Sequence, residues 1–276
     1  MTNISPEALA IKDLSLKINP GQKLIVCGRT GRFVTAHSLI IFIQELTIVY
    51  ESGKSTLLLT LLRLLELQSG RIKLDGIDIK RVNLNLLRQR CFIAVSQDPL
   101  ILPEETLRFN LDPDTSSSDQ MMIDALTKVG LWSHFVESDK RVEGNRGIAN
   151  SGLGEHSILD QKISLLQDLS VGQCQLFSIC RALLKATALR ATGMMPVVVL
   201  DEVTSSLDVA TESTIYRIVD EELMQKGQTV IIVSHRLGSL RMKDRRDAVA
   251  VMAEGRLLEV RKDLERSNLG QLARTE

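Results

Sequence analysis

The sequence predicts an α/β fold with a mainly parallel sheet, and three observations carry that expectation. Lys23–Cys27, Cys91–Val95, Val197–Leu200, Thr229–Val233 and Ala248–Met252 are short, continuously apolar runs. Helical patterns lie between them, over Ser55–Leu67, Gln173–Lys185 and Ala210–Gln225. Two further stretches, Ile11–Ile18 and Arg71–Lys80, alternate in polarity beside the turn signals Pro20–Gly21 and Asp75–Gly76. Unbroken apolarity is what a strand needs when helices cover both faces of its sheet, and strands alternating with helices build parallel sheets. Alternating polarity suits an antiparallel sheet with one wet face, here expected at the edge of the core. The Ser55–Leu67 helix is apolar nearly all round and is expected to be buried.

At 276 residues, the chain fits one domain, 1–276, with a sub-domain. Thirty-four Lys plus Arg balance 34 Asp plus Glu, so the basic excess of a nucleic-acid binder is missing. Aromatic residues make up 3%, too few for a base-stacking platform. Cys27, Cys91, Cys174 and Cys180 have no zinc-site spacing and are expected to be small apolar fillers in a reducing compartment. No apolar run reaches the length of a membrane span, and Met1–Pro6 lacks the pattern of a signal peptide. The polar stretch Asn110–Asp168 should hold a loop and helix, with a Gly- and Asn-rich mobile loop over Val142–Glu155.

Four places carry chemistry. Ser52–Gly53–Lys54–Ser55–Thr56 opens the apolar helix, and Gly28–Arg29–Thr30–Gly31 closes the strand before it. A phosphate-binding loop needs glycines so that backbone N–H groups can curl around an anion. It also needs a Lys for the β/γ oxygens, a hydroxyl for Mg²⁺ and a helix N-terminus behind them. Removing Arg32–Glu51 joins the two halves into a complete G-x-x-x-x-G-K-S in the right context. The segment 32–51 is therefore an anomalous insertion, expected to be a retained intron. The codons permit a splice donor at Arg32–Phe33–Val34, a branch point at Leu46–Thr47 and an acceptor at Ser52, and the excision keeps the frame. A genuine insertion is the rival, and it would have to bulge from the tightest turn of the fold.

The second place is the strand Met195–Leu200, which delivers Asp201 and Glu202 to its C-terminal end, where ligands bind in open α/β sheets. Asp201 would hold Mg²⁺ and Glu202 would orient and polarise a water as general base. A buried strand followed by a helix cap is the plain alternative. His235 follows another buried strand at the same edge, where it could reach a phosphate and the attacking water. Gln97 follows the strand Cys91–Val95 and could reach Mg²⁺ or water. Standing alone, Gln97 would be an ordinary polar loop residue.

Leu169–Ser170–Val171–Gly172–Gln173 then resembles the LSGGQ signature of ABC ATPases, with Val171 at the first glycine position. The order of motifs is similar to that family throughout: a split Walker A, Gln97 as Q-loop, the signature, Walker B at Asp201 and Glu202, a D-loop at Ser205–Asp208, and His235 as switch histidine. Asn110–Pro113 and Val129–Trp132 resemble the second nucleotide-binding domain of C-subfamily, multidrug-resistance-type exporters, of fungal kind.

The resemblance implies a P-loop NTPase, RecA-like core with an antiparallel β edge sub-domain and a helical signature sub-domain at about 100–187. It implies an ATPase that uses ATP and Mg²⁺ and powers export across a membrane from its cytosolic face. Gly28, Gly31, Ser52, Gly53, Lys54, Ser55 and Thr56 would cradle the phosphates. Ser55, Asp201 and Gln97 would serve the metal, and Lys54, Gln97, Glu202 and His235 the reaction. Ser170, Gly172 and Gln173 would meet the ATP of a second such domain in a head-to-tail dimer. Transmembrane domains would be the other partner, and no nucleic acid is expected. The family also usually stacks an aromatic residue on adenine just upstream of the first strand. Ile4 or Ser5 stands in that region, which leads us to expect a truncated start or weak adenine binding. The alternative function is a nucleotide-binding module that does not hydrolyse, or an inactive fragment, owing to the interrupted loop.

Overall fold

The structure is a computed structural model, and it describes residues 9–28, 41–47, 59–67, 70–138, 156–166, 168–234, 247–253 and 256–262. Ten strands are present among them: β1 (Leu9–Leu14), β2 (Lys23–Gly28), β3 (Ile41–Thr47), β4 (Arg71–Leu74), β5 (Ile77–Asp78), β6 (Phe92–Val95), β7 (Val197–Asp201), β8 (Val230–Ser234), β9 (Ala248–Ala253) and β10 (Arg256–Lys262). The principal helices are α1 (Leu107–Leu111), α2 (Asp119–Lys128), α3 (Val171–Ala191) and α4 (Val209–Ile218).

The core sheet runs β10-β9-β2-β8-β7-β6. All its neighbours are parallel except the β9–β10 pair. Each apolar run predicted from sequence is one of its parallel strands. Its side chains divide by parity. Ile25, Val198, Leu200, Val230, Ile232 and Val249 pack with Phe177, Ile215 and the helical layer. Leu24, Val26, Val197, Val199, Ile231 and Ala250 pack on the other face, with Leu61, Ile72, Ile79 and Leu87. Both faces are dry, so alternation would leave a polar group in one core or the other.

The antiparallel edge sheet is also found, in the order β1-β3-β4-β5. Its second strand comes from the inserted segment. β3 faces β1 along most of its length, from Leu9 opposite Thr47 to Leu14 opposite Ile43, and meets β4 at only two pairs, Ile41–Ile72 and Phe42–Arg71. Residues 41–47 are extended and paired, while the turn from which the segment would leave lies outside the described residues. β10 is a strand that the alternating pattern did not announce.

The helices differ from expectation at their ends. In the described part of the Ser55–Leu67 helix, helical backbone stops at Leu61, and Arg63 takes a φ of 51°. Beyond Ile218 the chain widens into a π-helical turn over Val219–Leu223, which buries Asp220. α3 begins at a capping box, in which the Ser170 hydroxyl accepts from the Gln173 amide while the Gln173 side chain accepts from the Ser170 amide. It outruns the predicted Gln173–Lys185 at both ends and stops before Gly193, whose φ of 82° no other residue type adopts cheaply. Cys27 and Cys180 are buried and Cys91 and Cys174 half-buried, and burial pushes the Cys180 thiol far up. The Val142–Glu155 loop lies outside the described residues, which resume at His156. Among the described residues no helix is long and apolar enough to cross a membrane.

At the end of the sheet away from the strand C-termini, Lys23 is buried between two acids. Its Nζ lies 2.9 Å from Asp220 and 3.2 Å from Asp247, which joins β2, the π turn and the start of β9. Removing one partner of a buried ion group strands the others in a dry interior. Lys23→Met is expected to cost about 3–5 kcal/mol, visible as a lowered midpoint in denaturant.

Candidate functional site

The parallel strands place the predicted residues along one edge. β2 ends at Gly28, β7 at Asp201 and β8 at Ser234, directly before His235 in sequence, while Gln97 is the second residue past the end of β6 at Val95. Register aligns these ends: Cys27 faces Ser234, Val233 faces Asp201, and Leu200 faces Val95. One face of the sheet edge therefore presents Gly28, Ser234, Asp201–Glu202 and Gln97 from adjacent strands, in that spatial order. The C-terminal ends of parallel strands are where α/β sheets bind ligands.

Glu202 is held in an unusual backbone. Its φ is 50°, the left-handed region that a Cβ disfavours. Two backbone bonds fix it there: its amide donates to the Val233 carbonyl at 3.0 Å, and its carbonyl accepts from the Ser205 amide at 3.0 Å. The first of these ties the end of β7 to the end of β8. Val203 and Thr204 are buried behind it, and the side chain of Glu202 is half-buried. Such strain survives where the surroundings over-determine it.

After the turn, Asp208 caps α4, accepting from the Ala210 and Thr211 amides at 2.9 and 3.0 Å and from the Thr211 hydroxyl at 2.7 Å. The Thr211 hydroxyl and amide hold the Asp208 carboxyl below the usual carboxylate range, although that group is fully exposed. Thr211 also sets the space at the signature: a Cβ on Gly172 would lie 3.1 Å from its methyl, so the two helix N-termini pack closely there.

Ser170 and Gln173 occupy the exposed start of α3 and bond chiefly to each other, with the Gln173 Nε2 also 3.3 Å from the His134 Nδ1. Neither is bonded to the sheet edge. Gln175 is, and sequence reasoning missed it. It is buried on α3, and its Nε2 donates to the Gln97 carbonyl, which joins the first turn of the signature helix to the loop after β6. A signal was available. Gln175 stands in the stripe of Ile179, Ala182, Leu183 and Ala186, all buried, where a polar side chain requires a partner. Gly31, Ser52, Gly53, Lys54, Ser55, Thr56 and His235 lie outside the described residues.

The described oxygen donors suit a hard cation. Mg²⁺ takes one or two protein carboxylates and fills its remaining positions with water and phosphate. A single Asp201 at a strand end meets that requirement. Glu202 adds a second carboxylate one residue on, at the left-handed turn that ends β7.

Comparison with known proteins bears on the same region. The ABC transporter family model matches residues 51–205, more than half of the chain. ABC transporter FGM5 of Gibberella zeae is 35% identical over 257 residues, covering 91% of this chain and 14% of that protein. ABC multidrug transporter B of Aspergillus fumigatus is 32% identical over 254 residues, 92% of this chain and 14% of that protein. ABC transporter C family member 5 of Dictyostelium discoideum is 32% identical over 252 residues, with 91% and 14% covered. The chain thus spans about one seventh of the length of these relatives. On the family match and these relatives, the chain belongs to the ABC transporter family, as an ATP-binding domain with the α/β fold of the P-loop NTPases.

Proposed function

We propose that this domain binds ATP with Mg²⁺ and hydrolyses it, and that hydrolysis drives export by a transporter of which it is the cytosolic motor. The observation that carries this reading is the shared edge of β2, β8, β7 and β6, which gathers Gly28, Glu202, Asp201 and Gln97. Gly28 and Gly31, with Ser52, Gly53, Lys54, Ser55 and Thr56, would wrap the phosphates. Asp201, Ser55 and Gln97 would hold the Mg²⁺, which when bound neutralises charge on the phosphates. Glu202 would take the proton of the attacking water, and His235 would hold that water and the γ-phosphate in line.

Ser170, Gly172 and Gln173 would present the start of α3 to the ATP of a second nucleotide-binding domain, head to tail. Their seclusion from their own sheet edge supports a ligand held elsewhere. The helical sub-domain, about 100–187, would receive the transmembrane domains. An open cleft of about 290 Å³ there exposes Leu100, Leu102 and Phe109 beside Arg181 and Lys185. The Gln175–Gln97 bond would pass motion between that cleft and the site.

The test is nucleotide binding and phosphate release by the chain lacking residues 32–51, paired with its partner domain. Mg²⁺-dependent binding and release are expected, and failure to bind ATP would overturn the reading. One observation favours a second reading: the interrupted Gly28–Thr56 loop. It suits a module that does not turn over nucleotide, or an inactive product.

A further inference from the structure

Behind Glu202 lies a buried polar cluster that none of the roles above uses. The Thr204 hydroxyl and the Tyr216 hydroxyl are 2.9 Å apart. The Ser234 hydroxyl and the Glu212 carboxyl also bond to the Tyr216 phenol. All four residues are buried, Glu212 most completely, at 1% exposure. A phenol has one hydrogen and two lone pairs. Here it can donate to Glu212 while accepting from Thr204 and Ser234, which uses its whole capacity.

The positions of these partners matter more than their number. Thr204 sits two residues after Glu202 in the turn that leaves β7, and Ser234 immediately precedes His235 at the end of β8. Glu212 and Tyr216 are one helical turn apart on α4 and face the sheet together. One side chain thus bridges the two chain segments that deliver Glu202 and His235. The left-handed backbone at Glu202 needs such outside support, because its two backbone bonds do not fix the far end of the turn at Thr204.

We propose that Tyr216 is a positioning residue, pinning the Glu202 turn and the end of β8 to a single point on α4, so that the base keeps a fixed place beside the end of β8. The 2.9 Å contact between the Thr204 and Tyr216 hydroxyls, buried between the Glu202 turn and α4, is the geometry that assigns this role. The phenol's ionisation is pushed up, first by burial and then by Glu212, in keeping with a neutral phenol that donates. Networks of this kind rigidify when every member is satisfied and loosen when one is removed.

The inference rests on the hydrolytic reading of Glu202 and His235 but is measured independently of it. Tyr216→Phe, Thr204→Val and Thr204→Ser are made in the full chain. Amide hydrogen exchange is followed by mass spectrometry, and ATP affinity is measured beside it. In Tyr216→Phe and Thr204→Val, exchange over 201–206 and 230–234 should quicken by roughly tenfold, while 92–95 stays at the wild-type rate. The kcat should fall roughly 10- to 100-fold, with KM within about twofold, as misplacement of a reacting group predicts. Thr204→Ser keeps the hydroxyl and should restore both. Unchanged exchange at 201–206, or quickening spread evenly through the sheet, overturns the proposal. Phosphate release is read in the same variants of the chain lacking residues 32–51, paired with its partner domain; if that parent releases none, the hydrolytic reading fails, and the exchange pattern still decides whether Tyr216 couples the two segments.

Discussion

Excising residues 32–51 should raise the affinity of the chain for ATP by at least about 100-fold. A phosphate cradle works because consecutive backbone N–H groups converge on one anion, and hydrogen bonds to charged acceptors contribute roughly 1.5–3 kcal/mol each. Two such bonds regained correspond to about two decades in affinity or more. In this chain Gly28, the first glycine, closes β2, whereas the second half of the motif is separated from it by the insertion. Fused at Gly31 and Ser52, the loop runs directly from strand to helix.

The excision also has a structural cost, which makes the experiment informative. β3 would be lost from between β1 and β4. Its contact with β4 is two pairs long, and the edges left behind can bond to water. A net loss of about 1 kcal/mol per ladder bond along β1 is the expected scale. A shortened chain that binds ATP tightly, even with a lowered unfolding midpoint, supports the retained-intron proposal. Equal affinity with and without the segment would overturn it. Sequencing the mature transcript across the codons for Gly31 to Ser52 gives the same answer from the other side.

The sequence carried much of the fold because the determinants of its strands are local. A run such as Val197–Leu200 can only be a two-sided buried strand, and Asp201 with Glu202 then falls at the ligand-binding end without further information. The helix over Gln173–Lys185 was visible for the same reason, its cap and its apolar stripe both lying within one window. What was not legible is non-local. The placement of β2 between β8 and β9 depends on crossovers, and the pairing of β3 with β1 depends on a segment whose own pattern names no partner. The Gln175–Gln97 bond and the Lys23–Asp220–Asp247 group each join residues distant along the chain. Nor does any residue type announce the left-handed φ of Glu202, since a glycine or asparagine would be the expected occupant there.

That backbone sharpens the second large effect. Glu202→Gln should abolish phosphate release, lowering kcat by about 10²–10⁴-fold, while leaving ATP affinity nearly unchanged. Gln matches Glu in volume and keeps the amide and carbonyl that bond Val233 and Ser205, so the turn is preserved and only the base is removed. Glu202→Gly makes the complementary test. Glycine enters the left-handed region freely, and relief of roughly 1–2 kcal/mol of strain should raise the unfolding midpoint even as turnover disappears. A protein that gains stability by losing a residue retains that residue for another reason, and a carboxylate at the end of β7 next to Asp201 has a clear one. If Glu202→Gln releases phosphate as fast as the parent, Glu202 is not the base. If the parent itself, with its loop restored, binds ATP and releases none, the strain at Glu202 serves a nucleotide-gated contact between domains rather than hydrolysis, and the non-hydrolysing reading takes its place.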